Sequence, residues 1–140
     1  MKVNYHIDKF VDNNGIEREF ILAAVSVDLK KDSSIDLRNS YATIFKFTSF
    51  QTYPITKVLC LAISVKRPED TFDEERGMQI AKGKALKVLK NPKKGKIIFV
   101  SEPGLINTKM VQAILEQEAL YFKRNPRCYI ANYGKQTNKE

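Results

Sequence analysis

The spacing of apolar residues changes near residue 66, and this change restricts the possible folds more than any other feature of the chain. Before it, apolar residues alternate with polar ones or form short continuous runs, both of which are typical of β-strands. After it, two longer segments with helical spacing are separated by short apolar runs. The 140 residues suffice for one domain with its own core. The sequence therefore predicts a single α/β (or α+β) domain in which helices cover a sheet.

A β-hairpin is predicted at the N-terminus. The segments "KVNYHIDKFV" and "IEREFILAAVSVDL" flank the turn "DNNG", in which Asn14-Gly15 suits the positive φ angles of a tight hairpin. The first arm alternates as a half-buried strand does, whereas the second is apolar on both faces. A further run, "TKVLCLAISV" at 56–65, is continuously apolar and predicts a buried central strand.

The remaining strands complete a mixed sheet of about five to six strands. They are predicted within 41–50, at 96–100 and at 127–133. The two helical segments then act as βα crossovers, with both helices on one face of the sheet or one on each face. We expect the single domain to span residues 1–133 and to be followed by a polar C-terminal tail, 134–140.

Two helices are predicted in the second half of the chain. The first runs from about Thr71 to Lys90, because Thr71 and Glu74 form a T-x-x-E capping box and an Asn-Pro pair follows Lys90. The second covers about 107–123. At 100° per residue, one face of the first helix is apolar and is expected to be buried. It consists of Met78, Ala81, Ala85, Val88 and Leu89.

The net charge of +8 is distributed unevenly along the chain. Residues 1–70 contain 10 Lys/Arg and 9 Asp/Glu, whereas residues 71–140 contain 14 and 7. A basic half indicates a polyanionic or acidic partner, although solubility alone also explains a positive charge.

Most of the excess charge lies in the second half of the first helix and in the segment after it. Seven lysines and no acidic residue lie between Lys82 and Lys96. Such a stripe fits a phosphate backbone, although the exposed side of an amphipathic helix is commonly lysine-rich without any ligand. Tyr129 and Tyr133 lie near arginines and are candidates for stacking on bases, or else are core residues. The predicted nucleic-acid-binding residues are Arg76, Lys84, Lys87, Lys90, Lys93, Lys94, Lys96, Arg124, Arg127, Tyr129 and Tyr133.

Five acidic residues precede the first helix or occupy its first turn. Carboxylates favour that position because the helix dipole is positive there, by about 0.3–1 kcal/mol each. Clustered carboxylates also bind divalent metals or act as general acids and bases. A third use is contact with a partner protein, in which the acidic turn 69–75 and the aromatic segment 41–53 form the surface. The residues of that protein-binding alternative are Glu69, Asp70, Asp73, Phe50 and Tyr53.

Glu118 interrupts the apolar face of the second helix. A carboxylate at such a position is paired, protonated, or directed into a cleft or at a partner. Pairing with an arginine such as Arg127 is the simplest of these alternatives.

Catalytic signatures are absent from the sequence. His6 is the single histidine, so a Ser-His or Cys-His nucleophile would depend on it alone. Cys60 and Cys128 lie in apolar, strand-like segments without a Cys or His neighbour, which predicts reduced core thiols and no metal site. Neither familiar nucleotide-binding loop occurs. We therefore expect no cofactor and no enzymatic activity; a metal-dependent hydrolase built on Asp70, Asp73 and Glu74 is a third interpretation.

The segment "LAISVKRPEDTFDEERGMQIAKGKALK" at 61–87 resembles small uncharacterised proteins of tailed bacteriophages. In them an apolar strand runs into P-x-D-x-F-(D/N)-x-x-x-G and then I-A-x-G-(K/R)-A. The matching residues here are Pro68, Asp70, Phe72, Asp73, Gly77, Ile80, Ala81, Gly83, Lys84 and Ala85. The resemblance implies no activity for particular residues, but it implies a phage product in the cytoplasm of a bacterial host or in a virion.

A membrane partner is not expected. No apolar run approaches the roughly 20 residues that a membrane helix needs. The N-terminal segment alternates and carries charge, unlike a signal or transit peptide. Both observations favour a cytoplasmic location.

Overall fold

The computed structural model describes residues 2–28, 44–46, 57–67, 69–90, 95–100 and 108–126. These residues form an α+β domain with a sheet and two helices. Its elements are β1 (Lys2–Val11), β2 (Glu17–Asp28), β3 (Ile44–Lys46), β4 (Lys57–Val65), α1 (Glu74–Val88), β5 (Lys96–Val100) and α2 (Thr108–Arg124). The predicted strand at 127–133 and the tail lie outside the described residues, so the total of five to six strands and the domain limits remain predictions.

The sheet has the strand order β1-β2-β4-β5-β3. In this order, neighbouring strands from β1 to β5 pair antiparallel, and the three-residue β3 at the edge pairs parallel with β5. The N-terminal hairpin is confirmed, since β1 and β2 are antiparallel neighbours and Gly15 has a φ of 76° in the turn. That positive φ is the conformation for which glycine is suited.

The two helices lie on opposite faces of the sheet. On β2, Phe20 and Leu22 belong to one hydrophobic cluster with residues of α2, while Ile21 and Ala23 belong to a second cluster with residues of α1. This alternation follows from the two-residue period of a strand. Both β2 and β4 are therefore buried on both faces, as their continuous apolar runs predict.

The predicted connection through α1 was wrong in its topology. β4 and β5 are antiparallel neighbours, so α1 does not join parallel strands as a βα crossover would. Gly95 lies where the chain passes from α1 to β5. A Cβ atom there would overlap the Leu61 carbonyl oxygen and the Val88 side chain, so the close approach of α1 to β4 requires glycine.

The ends of the first helix also differ from the prediction. The capping box of Thr71 and Glu74 was wrong: Asp73 is the N-cap, and its side chain accepts a hydrogen bond from the Arg76 N–H at 3.1 Å. An aspartate in this position satisfies one of the open donors of the first turn, as an N-cap should. The predicted buried face is correct, because Ala81, Ala85 and Val88 are buried. Met78 and Leu89 are partly buried against the same cluster.

Three phenylalanines pack together between α2 and the hairpin. The Phe122 ring lies 4.7 Å from the rings of both Phe10 and Phe20, centroid to centroid, in edge-to-face geometry. All three side chains are buried. Edge-to-face pairs add about 0.5–1.5 kcal/mol to the free energy of burial. This cluster therefore fixes the position of α2 on β1 and β2.

Phe122→Ala is expected to reduce the free energy of unfolding by about 3–5 kcal/mol, because it leaves a cavity beside the Phe10 and Phe20 rings. Leu120→Ala on the same helix is the matched control, since the Leu120 side chain is 53% exposed. Urea unfolding followed by circular dichroism measures both. A similar, small effect for the two variants would contradict this packing.

Cys60 is expected to be unreactive in the folded protein. Its side chain is fully buried, and burial raises the pKa of its thiol to about 12. The thiolate is the reactive form, so a protein that carries Cys128→Ser should react with a disulfide reagent at pH 8 only after denaturant is added. Labelling that is equally fast with and without denaturant would show that Cys60 is exposed.

Candidate nucleic-acid interface

A cleft opens where β4 ends and α1 begins. Its volume is about 420 Å³, within the range of roughly 300–1,000 Å³ that is common for ligand sites. One wall is the chain that leaves β4, and the other is the first three turns of α1. The lining residues are Ile21, Ser64, Val65, Lys66, Arg67, Asp70, Thr71, Phe72, Asp73, Arg76, Gly77, Ile80 and Lys84. We call it the basic cleft.

Backbone hydrogen bonds hold the first wall in place. The Lys66 N–H donates to the Glu19 carbonyl at 2.9 Å, which extends the pairing of β2 and β4 by one residue. The Arg18 guanidinium donates to the Lys66 carbonyl from Nε at 3.0 Å and from Nη2 at 2.9 Å. The Lys66 ammonium then donates to the carbonyls of Arg67 and Asp70 at 3.1 and 2.6 Å. The turn before α1 is thus tied to the end of the sheet.

Positive charge predominates in the basic cleft. Its cations are Lys66, Arg67, Arg76 and Lys84. Two acidic residues, Asp70 and Asp73, also line it, which leaves a surplus of two positive charges. The positive end of the α1 dipole adds to the attraction for an anion.

The second wall of the cleft is one face of α1. Arg76, Ile80 and Lys84 are four residues apart, so they lie in one row along α1. Lys84 is half-buried, and its ammonium reaches the Ile63 carbonyl at 3.4 Å. Lys84, which the sequence predicted as a nucleic-acid contact, therefore lies along the cleft. Lys87 and Lys90 are exposed and extend the positive charge beyond the cleft.

Lys66 and Arg67 were missed by sequence reasoning. Their signal is the pair "KR" directly after the apolar run of β4. Side chains at the end of a strand meet those at the start of the next helix when the connection is short. The prediction was based on the lysine run after residue 82, and it did not include these two residues before α1.

Lys96 lies on the other face of the sheet. Its ammonium is 2.8 Å from Oε2 of Glu118 in α2 and 4.7 Å from the centroid of the Tyr121 ring. Both charged side chains are largely buried, with 19% and 16% exposure. Glu118 is thus paired, as predicted, and its partner here is Lys96; Arg127, which the prediction named, lies outside the described residues. Lys96 is separated from the cations of α1 by the sheet, so it does not extend their surface.

The end of α2 is also remote from the basic cleft. Lys123 donates to the Asp8 carboxylate, at 3.3 Å to Oδ2. Partial burial raises the pKa of Asp8, but hydrogen bonds from Lys9, Lys123 and His6 outweigh this, so the pKa lies below its ordinary value. Arg124, a predicted nucleic-acid contact, is the exposed last residue of α2, on the α2 side of the sheet.

The remaining predicted residues fall into two groups, outside and inside the described ranges. Those outside the described ranges are Lys93, Lys94, Arg127, Tyr129 and Tyr133 of the nucleic-acid set, and Phe50 and Tyr53 of the protein-binding set. Of the acidic residues, Asp70 and Asp73 line the basic cleft, and Glu69 is exposed beside them. Among the residues that the structure describes, no three acidic, histidine or cysteine side chains are grouped as a metal site.

No family model, curated protein or solved structure matches the chain. Neither α1 nor α2, the helices of the described ranges, combines the length and the apolar character needed to span a bilayer. The function must therefore be inferred from the basic cleft and the surfaces around it.

Glu118→Gln is expected to lower the free energy of unfolding by about 2 kcal/mol, because it leaves the Lys96 ammonium largely buried without its countercharge. Glu116→Gln is the control, since Glu116 is exposed on the same helix. Chemical unfolding at pH 7 measures the difference. Combining Glu118→Gln with Lys96→Met should cost less than the sum of the single changes, and strict additivity would show that the pair does not interact energetically.

Proposed function

We propose that the protein is a non-enzymatic basic protein that binds nucleic acid through phosphate contacts. One observation carries this proposal: cations from the end of β4 and from α1 line a single cleft. Charges that are scattered over a surface are explained by solubility alone, without any ligand. Charges that line a concave site attract a polyanion more strongly, because the protein walls focus the field.

The chemistry of the cleft suits phosphate groups. Arginine forms paired hydrogen bonds to phosphate oxygens, and Arg67 and Arg76 are on opposite walls. Lys66 already donates to two carbonyls, so its main contribution is a fixed positive charge at the base of the turn. Each phosphate that is neutralised releases counterions, which makes binding salt-dependent.

The contact surface continues along α1. Lys87 and Lys90 are exposed on and just beyond the last turn of the helix. We include Lys93 and Lys94, which follow in the sequence, in the same surface. Lys96 and Arg124 are left out because the sheet separates them from α1. The proposed surface is therefore narrower than the set of residues predicted from the sequence.

The alternative function is a protein-interaction module, either a virion component or an inhibitor of a host protein. A specific observation favours it. Three apolar side chains of the hairpin are exposed: Ile7 by 40%, Val11 by 60% and Ile16 by 42%. Several exposed apolar side chains on one hairpin are candidates for a protein contact. In both alternatives we place the protein in the cytoplasm of a bacterial host or in a phage particle.

Charge reversal separates these alternatives. In Arg76→Glu/Lys87→Glu, one change lies in the basic cleft and one beyond it, and both residues are exposed, so folding should persist. We expect affinity for labelled oligonucleotides to fall at least roughly tenfold at low salt. The magnitude of the slope of log affinity against log salt should decrease by about 1.4–1.8, at about 0.7–0.9 for each of the two lost phosphate contacts. Fluorescence anisotropy over a salt series measures both quantities.

Lys109→Glu/Arg124→Glu is the matched control, with the same change in net charge on the exposed side of α2. It should bind within about twofold of the unaltered protein. Equal losses in the two double variants would indicate attraction by net charge alone. Absence of binding by the unaltered protein at low salt would overturn the proposal and favour the protein-interaction module, which a pull-down with host and phage proteins would then examine.

A further inference from the structure

The basic cleft has an apolar wall as well as a charged one. Ile21, Val65, Phe72 and Ile80 line it together with the four cations. Phe72 is half-buried: it packs against the core cluster beneath α1 and also contributes to the cleft surface. Ile80 is 41% exposed and lies between Arg76 and Lys84 in the row along α1. Phosphate groups are charged and do not bind favourably to apolar side chains, so this wall suits another part of a ligand.

We infer that the basic cleft seats one unstacked nucleotide of a single strand. The base would lie against Phe72 and Ile80, and the flanking phosphates would contact Arg67, Arg76 and Lys84. This inference rests on the proposed function, and it adds which form of nucleic acid is bound. Proteins that hold single strands combine a basic groove with an aromatic platform for the bases.

The shape of the site disfavours a duplex. In a duplex the bases are stacked and paired in the interior, and the phosphates lie on the convex outer surface. Such a surface touches the rim of a cleft but does not fill it. A volume of about 420 Å³ accommodates a ligand of small-molecule size, and an unstacked base with its sugar is such a ligand.

The two acidic residues fit the same arrangement. A carboxylate repels phosphate, so Asp70 and Asp73 oppose a phosphate at their side of the cleft. The Asp73 carboxylate is already bound to the first turn of α1. Asp70, with the hydroxyl groups of Thr71 and Ser64, leaves polar groups in the cleft for the hydrogen-bonding edge of a base.

The first experiment compares three ligands with the unaltered protein. They are a short single-stranded DNA, the same backbone with abasic sites in place of the central bases, and a hairpin duplex with the same number of phosphates. We expect the intact single strand to bind roughly tenfold more tightly than the other two, which corresponds to the stacking of one base. All three should show salt dependence.

Phe72→Leu removes the aromatic ring but keeps an apolar side chain. It should reduce the tenfold preference to less than about threefold and leave the salt slope unchanged. Phe10→Leu is the matched control, because Phe10 is a buried core residue on the α2 side of the sheet. Ile80→Ser is a second variant that alters the same wall at an exposed site, and it should also weaken the preference.

Photocrosslinking locates the base without any variant. A single strand that carries 5-iodouracil is irradiated with the unaltered protein, and the attached peptide is identified by mass spectrometry. Attachment to Ile21 or between residues 64 and 84 supports the inference, and attachment to α2 or to β1 overturns it. Equal affinity for all three ligands, with salt dependence intact, would overturn the nucleotide site while the proposed function stands. No binding to any ligand would overturn both.

Discussion

The pairing of β2 with β4 is the interaction on which the rest of the structure depends. Their register places Leu22 opposite Ile63 and Ala23 opposite Ala62, so the apolar residues of both strands align on each face. Each strand is buried on both sides, and a sheet with two apolar faces needs a cover on both. One helix on each face follows from this requirement, since two helices on one face would leave the other exposed to water.

The basic cleft follows from the same pairing. The last hydrogen bond between β2 and β4 fixes Lys66, and the Arg18 guanidinium secures its carbonyl. Beyond that point the chain leaves the sheet and enters α1 after a short turn that Asp73 ends. The close approach of α1 to β4, which Gly95 permits, then sets the second wall beside the first. Hydrogen bonds to backbone carbonyls thus hold the Lys66 and Lys84 ammonium groups in the cleft.

On the face of the sheet that α2 covers, the charge of Lys96 forms a structural ion pair. The sequence contains Lys96 within the same lysine-rich stretch as Lys84 and Lys87, yet the Lys96 ammonium is paired with Glu118 beneath α2. Strand alternation accounts for this, because Lys96 faces α2 while its neighbour Ile97 faces α1. An ion pair so largely buried is costly to break. A run of like charges in the sequence is therefore not one surface.

Local apolar spacing was enough to predict the strands of the hairpin, the buried run of β4, the approximate extent of both helices and the buried face of α1. This spacing has a two-residue period in strands and a 3.6-residue period in helices. Long-range packing set which face each helix covers, the antiparallel pairing of β4 with β5, and the cleft in which Lys66 and Arg67 meet Arg76 and Lys84. These features join residues that local spacing does not relate, because they arise from the pairing of strands and the packing of helices across the sheet.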